Sequence, residues 1–233
     1  GFIDAHFHLE SSMVTIPEFT RAVLPSGTTS AVADPHEIAN VFGYDGIRFM
    51  LESSKYNPMN FFFTMPSCVP PTVMETSGSS LSAFDIYPFL REKWVVGLGE
   101  VMNYPNVLSC DHDLLDKISI YSEKRLEGHA PGVTGKALAG YISTGISSDH
   151  EATNLKEAQE KLRLGMYVMI REGSAAKNLA DILPLVKPEN KSRFMLVTDD
   201  HNPVDIVKHG HIDGVVRKSI KLGLDPVTAI QLV

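Results

Sequence analysis

The sequence predicts an α/β fold, a (β/α)8 TIM-type barrel, on three observations. Short apolar runs alternate with amphipathic stretches eight times, the pattern of repeated βα units around a parallel sheet. The length of 233 residues suits a barrel of roughly 250. Polar residues able to bind metal recur where the apolar runs end, the rim on which barrels carry their chemistry.

The first strand is Phe2 to His8: Phe2, Ile3 and Ala5 form the apolar run of a buried parallel strand, and His6, Phe7 and His8 close it. The amphipathic stretch Pro17 to Leu24 and the turn Pro25-Ser26-Gly27 lead to the second strand, Thr28 to Asp34. A helical stretch, Tyr44 to Lys55, precedes the third, Asn60 to Pro66. The fourth is Trp94 to Val101, and the fifth is a short run near Leu126 to Ala130. Lys136 to Ser143 reads as a small helix before the sixth strand, Gly145 to His150. A helix pattern over Asn154 to Leu164 comes before the seventh, Tyr167 to Arg171. The eighth, Phe194 to Asp199, is followed by helical material at Val204 to Lys208 and Val215 to Leu222.

With 43% hydrophobic residues the chain can bury one sizeable core. A net charge of −7, with no run of Lys or Arg, disfavours a nucleic-acid or anionic-membrane surface and leaves a small-molecule partner. No apolar run reaches the roughly 18 residues that span a bilayer, and the first residues lack the pattern of a secretion signal. Cys68 and Cys110, without a CxxC, read as reduced thiols with no assigned role. The expectation is a cytoplasmic protein without a membrane segment. The start on a site-bearing strand at Gly1 and the end in a helix at Val233 suggest a piece of something longer.

Side chains two apart on a strand share a face, so His6 and His8 can hold one cation together. A lone His-x-His carries little weight, but Glu100, His129, His150 and Asp199 close the fourth, fifth, sixth and eighth strands. Six donors of mixed imidazole and carboxylate type suit two divalent ions with a bridging carboxylate. Glu100 is the natural bridge, because Gly97, Gly99 and Asn103 beside it leave room for metals and substrate. Two ions sharing a water make it acidic, and Asp199 could bind one ion and also take the proton. Asp200 rivals Asp199, but strand alternation sends the two to opposite faces. His201, His209 and His211, beyond the last strand, read as loop or helix-facing residues, and His112 as a polar loop residue.

The series GFIDAHFHLESSM, DPHEIANVFG, GLGEVMN, GHAPG, STGISSDHE, REGSAAKNL and TDDHNP with GHID resembles, in this order, the adenine deaminases of the amidohydrolase superfamily. Other amidohydrolases share the opening His-x-His and the final Asp but usually place a carboxylated lysine where Glu100 stands. The resemblance implies a barrel of the metal-dependent hydrolase kind over residues 1–233. Its implied activity is hydrolytic deamination of adenine to hypoxanthine and ammonia, in purine salvage. It further implies two divalent ions, Mn2+ or Fe2+ with Zn2+ as an alternative, and a homo-oligomer, a dimer. Carried over by position, His6 and His8 bind the first ion with Asp199, His129 and His150 bind the second, and Glu100 bridges them.

The reaction needs a proton donor beside the ions. Glu151, Glu172, His36 and Glu37 compete for that work and for holding the purine. Ser174 and Asn178 open the helix after the seventh strand, where a ligand contact and plain capping are both open. The family's small β-sandwich before the barrel and its large segment after it are absent from these 233 residues. Two other readings stand beside adenine deamination: an amidohydrolase acting on another aminopurine or a cyclic amide, and an inactive metal-binding fragment.

Overall fold

In the computed structural model, which describes residues 1–233, the strands run in one direction around a closed hoop. They are β1 (Phe2–His8), β2 (Thr28–Ala33), β3 (Asn60–Met65), β4 (Val95–Val101), β5 (Arg125–Gly128), β6 (Ser148–Asp149), β7 (Tyr167–Arg171), β8 (Phe194–Val197) and β9 (Asp199–Asp200). Each pairs in parallel with its neighbour in sequence from β1 to β8. β8 and β9 are the eighth strand broken at Thr198. Its first part pairs with β7, from Val168 against Phe194 to Arg171 against Val197, and its second with β1, Phe7 against Asp199 and His8 against Asp200. The break therefore closes the barrel, and it has a local cause: Asp199 lies in the left-handed region at φ 59°.

Around the hoop run α1 (Ile16–Val23), α2 (His36–Ser54), α3 (Ala83–Ile86), α4 (Tyr104–Leu108), α5 (His112–Ile120), α6 (Gly135–Ser143), α7 (Leu155–Arg163), α8 (Leu179–Ile182), α9 (Pro203–His209), α10 (Ile212–Lys221) and α11 (Pro226–Gln231). α1 buries Ile16, Phe19, Thr20 and Val23, the i, i+3, i+4, i+7 stripe of an amphipathic helix. Phe19 stacks on Phe7 at 5.0 Å, so the outward face of β1 meets α1 while Asp4, His6 and His8 turn inward. α2 is two helices meeting at Gly43, where φ is 57°; the expected start at Tyr44 is the restart after that kink.

Helices α3, α4, α5, α8 and α11 lie where the sequence showed no clear period, and most are held by local caps. The Asn103 and Asp111 side chains accept from the N–H groups of Asn106 and Leu114, and Ser82 with Asp85 forms a reciprocal capping box. His112, read as a loop residue, is the first residue of α5. Cys68 and Cys110 are both free thiols. No helix is long and apolar enough to cross a membrane.

α7 carries a buried ion cluster instead of a wholly apolar face. Lys161 Nζ, fully buried, donates to Asp149 Oδ2 at 2.7 Å, Glu157 Oε1 at 2.8 Å and Ala130 O at 2.8 Å. The same Asp149 carboxylate accepts from the N–H groups of Ala130, Glu151 and Ala152. It therefore ties together the turns that follow β5 and β6. Lys161→Met keeps the stem but strands two buried carboxylates, and is expected to cost about 3–5 kcal/mol. Urea unfolding of the two proteins measures this; a loss under about 1 kcal/mol would show that the cluster does not hold these turns.

Candidate metal centre

The six predicted donors converge on the C-terminal rim. Glu100, 2% exposed at the end of β4, sits in the middle. Its Oε1 lies 2.8 Å from His8 Nε2 and 3.2 Å from His6 Nε2; its Oε2 lies 2.5 Å from His129 Nδ1 and 3.6 Å from His150 Nε2. Asp199 Oδ1 approaches His8 Nε2 at 3.2 Å and His6 Nε2 at 3.6 Å. Donor atoms of His6, Glu100, His150 and Asp199 all lie within 4.8 Å of one another.

The outer nitrogens of the first two imidazoles are already occupied. His6 Nδ1 faces Glu127 Oε2 at 3.3 Å, and His8 Nδ1 faces the Asp34 carbonyl at 3.1 Å. Both rings are thereby turned with Nε2 toward Glu100, the way a protein orients metal-binding histidines. His6 Nε2 and Glu100 Oε1 are buried without a hydrogen-bond partner, although only 3.2 Å apart. Buried polar atoms are rarely left so. A divalent cation satisfies both, and the mixed imidazole and carboxylate donors suit one.

The charges support one another. Burial alone would raise the Glu100 carboxyl, but the facing imidazoles of His150 and His8, with the hydrogen bond to His129, hold it well below the usual range. Asp199 is likewise lowered against its burial, by the facing imidazoles of His6 and His8. Burial works against a proton on His6 and His8, yet the facing carboxylates raise both.

The glycines beside Glu100 act differently from the expectation. A side chain at Gly99 would collide with the Asp34 carboxylate, whose Oδ2 accepts from Glu100 N–H at 2.9 Å. A side chain at Gly97 would meet the Arg125 carbonyl of β5. The two gaps are filled by protein and position Glu100; they do not admit substrate.

Asp200 was expected on the face opposite Asp199. Its carboxylate in fact stands beside His8 and Asp199, within 4.8 Å of both, and accepts from the Ser11 hydroxyl. The left-handed backbone at Asp199 breaks the two-residue alternation on which the expectation rested.

The candidates for the proton donor separate clearly. Glu151 is in the centre, 3.5 Å from His150 Nε2 and 3.6 Å from His129 Nδ1, but both its oxygens are gripped by the Arg171 guanidinium. It is arranged to accept, not to donate. Glu172 is not brought to the centre: Arg171 ends β7 pointing inward, so Glu172 points away and pairs with Lys218 at 2.6 Å. His36 and Glu37 flank His8; His36 ring and His8 ring are 4.7 Å apart edge to face, and Glu37 Oε2 is 3.6 Å from His8 Nδ1. Burial would lower His36, but Asp34, then Glu37 and Glu100, more than reverse this and push it up to about 9. Ser174 and Asn178 neither cap a helix with their side chains nor face the centre. Ser174 donates to Asp205, and Asn178 clamps Arg171 N–H to the carbonyls of His150 and Ala152.

Three residues of this site were not singled out from sequence. Arg171 donates to Asp199 Oδ2 at 2.7 Å as well as to Glu151, and its place at a strand end was the available signal. Glu127 and Asp34 support His6 and His8 from behind, which side-chain alternation could have suggested only with the barrel closed. His201 and His211, read as loop or helix-facing residues, are buried against the seam.

The family model for the amidohydrolase family matches residues 1–231. The chain is 49% identical over 232 residues to adenine deaminase 2 of Carboxydothermus hydrogenoformans and 52% identical over 232 residues to an adenine deaminase of Dehalococcoides mccartyi. Each comparison covers all of this chain and 41% of the relative, so the chain spans under half the length of these proteins. Among solved structures it is similar to a β-aspartyl dipeptidase from Fervidobacterium islandicum, with a TM-score of 0.58 at 11% identity, over all of this chain and 70% of that one. That likeness confirms the barrel fold. In fold, in the divalent-metal site that the family implies, and in a match over nearly its whole length, the chain belongs to the amidohydrolase family.

Proposed function

We infer that the barrel carries the catalytic centre of a hydrolytic adenine deaminase, converting adenine and water to hypoxanthine and ammonia. The observation that carries this reading is the convergence of four imidazoles on the two oxygens of one buried glutamate, Glu100, with Asp199 facing two of the same rings. The adenine deaminases at about half identity support the substrate.

His6, His8 and Asp199 would hold one divalent ion and His129 with His150 a second, Glu100 spanning both; Mn2+ and Fe2+ fit this donor set, as does Zn2+. When bound, such a pair supplies Lewis acidity and water acidified to near neutral pH. Asp199 accepts the proton of the attacking water, and Arg171 holds its other oxygen in place. Addition at the amidine carbon requires protonation of the adjacent ring nitrogen, after which the C–N bond breaks and ammonia leaves. Among the buried polar atoms without partners are His36 Nδ1 and Glu37 Oε2, whose side chains flank His8. A purine edge, with alternating donors and acceptors, would satisfy atoms on this side, and His36 is the cationic donor there. The free thiols support a reducing cytoplasmic setting, consistent with purine salvage. The exposed Val41, Phe42 and Phe49 of α2 support assembly as a homodimer.

Ammonia release from adenine, guanine, cytosine and a cyclic amide, with two equivalents of Mn2+, tests the reading. Adenine alone is expected to react, with hypoxanthine as product. Turnover of one of the other compounds would assign a sibling activity, and binding of two ions without any product would assign a non-catalytic metal domain.

A further inference from the structure

We propose that His211, at the head of α10, is a positioning residue for the metal centre: by holding Asp4 it fixes the seam from which His6 and Asp199 are presented. The inference rests on the reading of those two residues as metal ligands.

Asp4 lies on the inward face of β1 and is completely buried, with no Lys or Arg against it. Its Oδ1 accepts from the N–H of His6 at 3.3 Å and of Thr198 at 3.3 Å, and its Oδ2 accepts from the Thr198 hydroxyl. One carboxylate thus binds the backbone of a ligand on β1 to the residue just before Asp199. His211 Nε2 stands 3.3 Å from Asp4 Oδ2 and 3.3 Å from Thr198 Oγ1, while its Nδ1 stands 3.2 Å from Thr28 Oγ1 on β2.

The protons are assigned from the contacts, with Asp4 as a carboxylate, the form it takes above the value of about 6 to which burial raises it. The Thr198 hydroxyl proton goes to Asp4, so Nε2–H of a neutral imidazole is the remaining donor to that oxygen, and Nδ1 accepts from Thr28. Burial, with His201 stacked at 5.8 Å, pushes His211 down to about 3 and keeps it neutral. Phe7 and Phe19 meet its ring edge to face at 6.2 and 5.2 Å and fix its plane.

A left-handed aspartate persists only where its surroundings over-determine it. Here Thr198 is fixed through Asp4 on one side and Asp200 is paired with His8 on the other. Without the His211 donor, the buried carboxylate must find another partner or move, and His6 and Thr198 are both attached to it.

The test uses the whole chain and Co2+ as probe. In His211→Phe, which keeps the ring but removes both nitrogens, the affinity for Co2+ is expected to fall about ten- to a hundredfold, with an altered visible spectrum. kcat should fall while KM stays near the wild-type value. His211→Gln, whose side-chain N–H can reach Asp4, should recover most of the affinity. A folded His211→Phe with wild-type Co2+ affinity, spectrum and kcat would overturn the proposal, since a merely structural residue would shift only the melting temperature. Should His211→Phe fail to fold, Thr198→Val decides: it removes one hydroxyl of the same network, weakened Co2+ binding supports the proposal and unchanged binding overturns it. Failure of the wild-type chain to bind Co2+ would instead sink the metal centre itself, and absence of deamination with normal Co2+ binding would sink only the activity.

Discussion

Glu100→Gln is expected to lower the rate of ammonia release by on the order of 10³-fold or more and to cut bound metal from two ions per chain to one or none. The side chains are nearly isosteric, so the effect isolates charge and donor pattern. In the native protein both oxygens face ring nitrogens, at 2.8 and 3.2 Å on one side and 2.5 Å on the other. An amide would turn its NH2 toward one of these pairs and offer no negative charge to bridge two cations. The variant should fold, because the glutamate backbone is held independently: its N–H by Asp34 and its carbonyl by the Ser67 hydroxyl. Metal analysis and the ammonia assay check both halves. Wild-type metal content with a wild-type rate would remove Glu100 from the centre.

The second large effect is expected at Asp199. Asp199→Asn should cut the rate about 10²- to 10⁴-fold, the usual contribution of a proton-transferring side chain, whereas Asp200→Asn should do far less. The two aspartates are adjacent and both stand near His8, so sequence position does not rank them. Their partners do. Asp199 meets His6, His8 and Arg171, all buried, while Asp200 is half-buried and accepts from Ser11. Steady-state rates of the two variants, each with two equivalents of Mn2+, give the ranking; the reverse order would exchange the roles.

Much of the site was legible in the sequence because barrel chemistry lies at strand ends. Once eight apolar runs are placed, His6, His8, Glu100, His129, His150 and Asp199 mark one rim, and their convergence needs only a closed parallel sheet. What was not legible depends on contacts across the hoop. Glu172 and Arg171 are neighbours at the end of β7, and which of them faces inward turns on one residue of strand phase. The opposite-face expectation for Asp200 failed because alternation assumes extended backbone, and a single left-handed residue cancels it. His211 lies 205 residues after His6, counting from position 6 to position 211, and no local pattern announces that α10 brings it beneath β1. The short helices α3 and α4 escaped notice because they rest on caps and on the core they cover, with too few turns to show a period.

The last two residues of the eighth strand complete the hoop against β1 and also supply Asp199 to the centre. An ion held by His6, His8 and Asp199 would bind only the shut form, so cation occupancy and barrel integrity would make a single thermodynamic cycle, and a hundredfold excess over its dissociation constant would deepen that form by about 2.7 kcal/mol. Chelation is then an unlatching of the cylinder as much as a loss of chemistry.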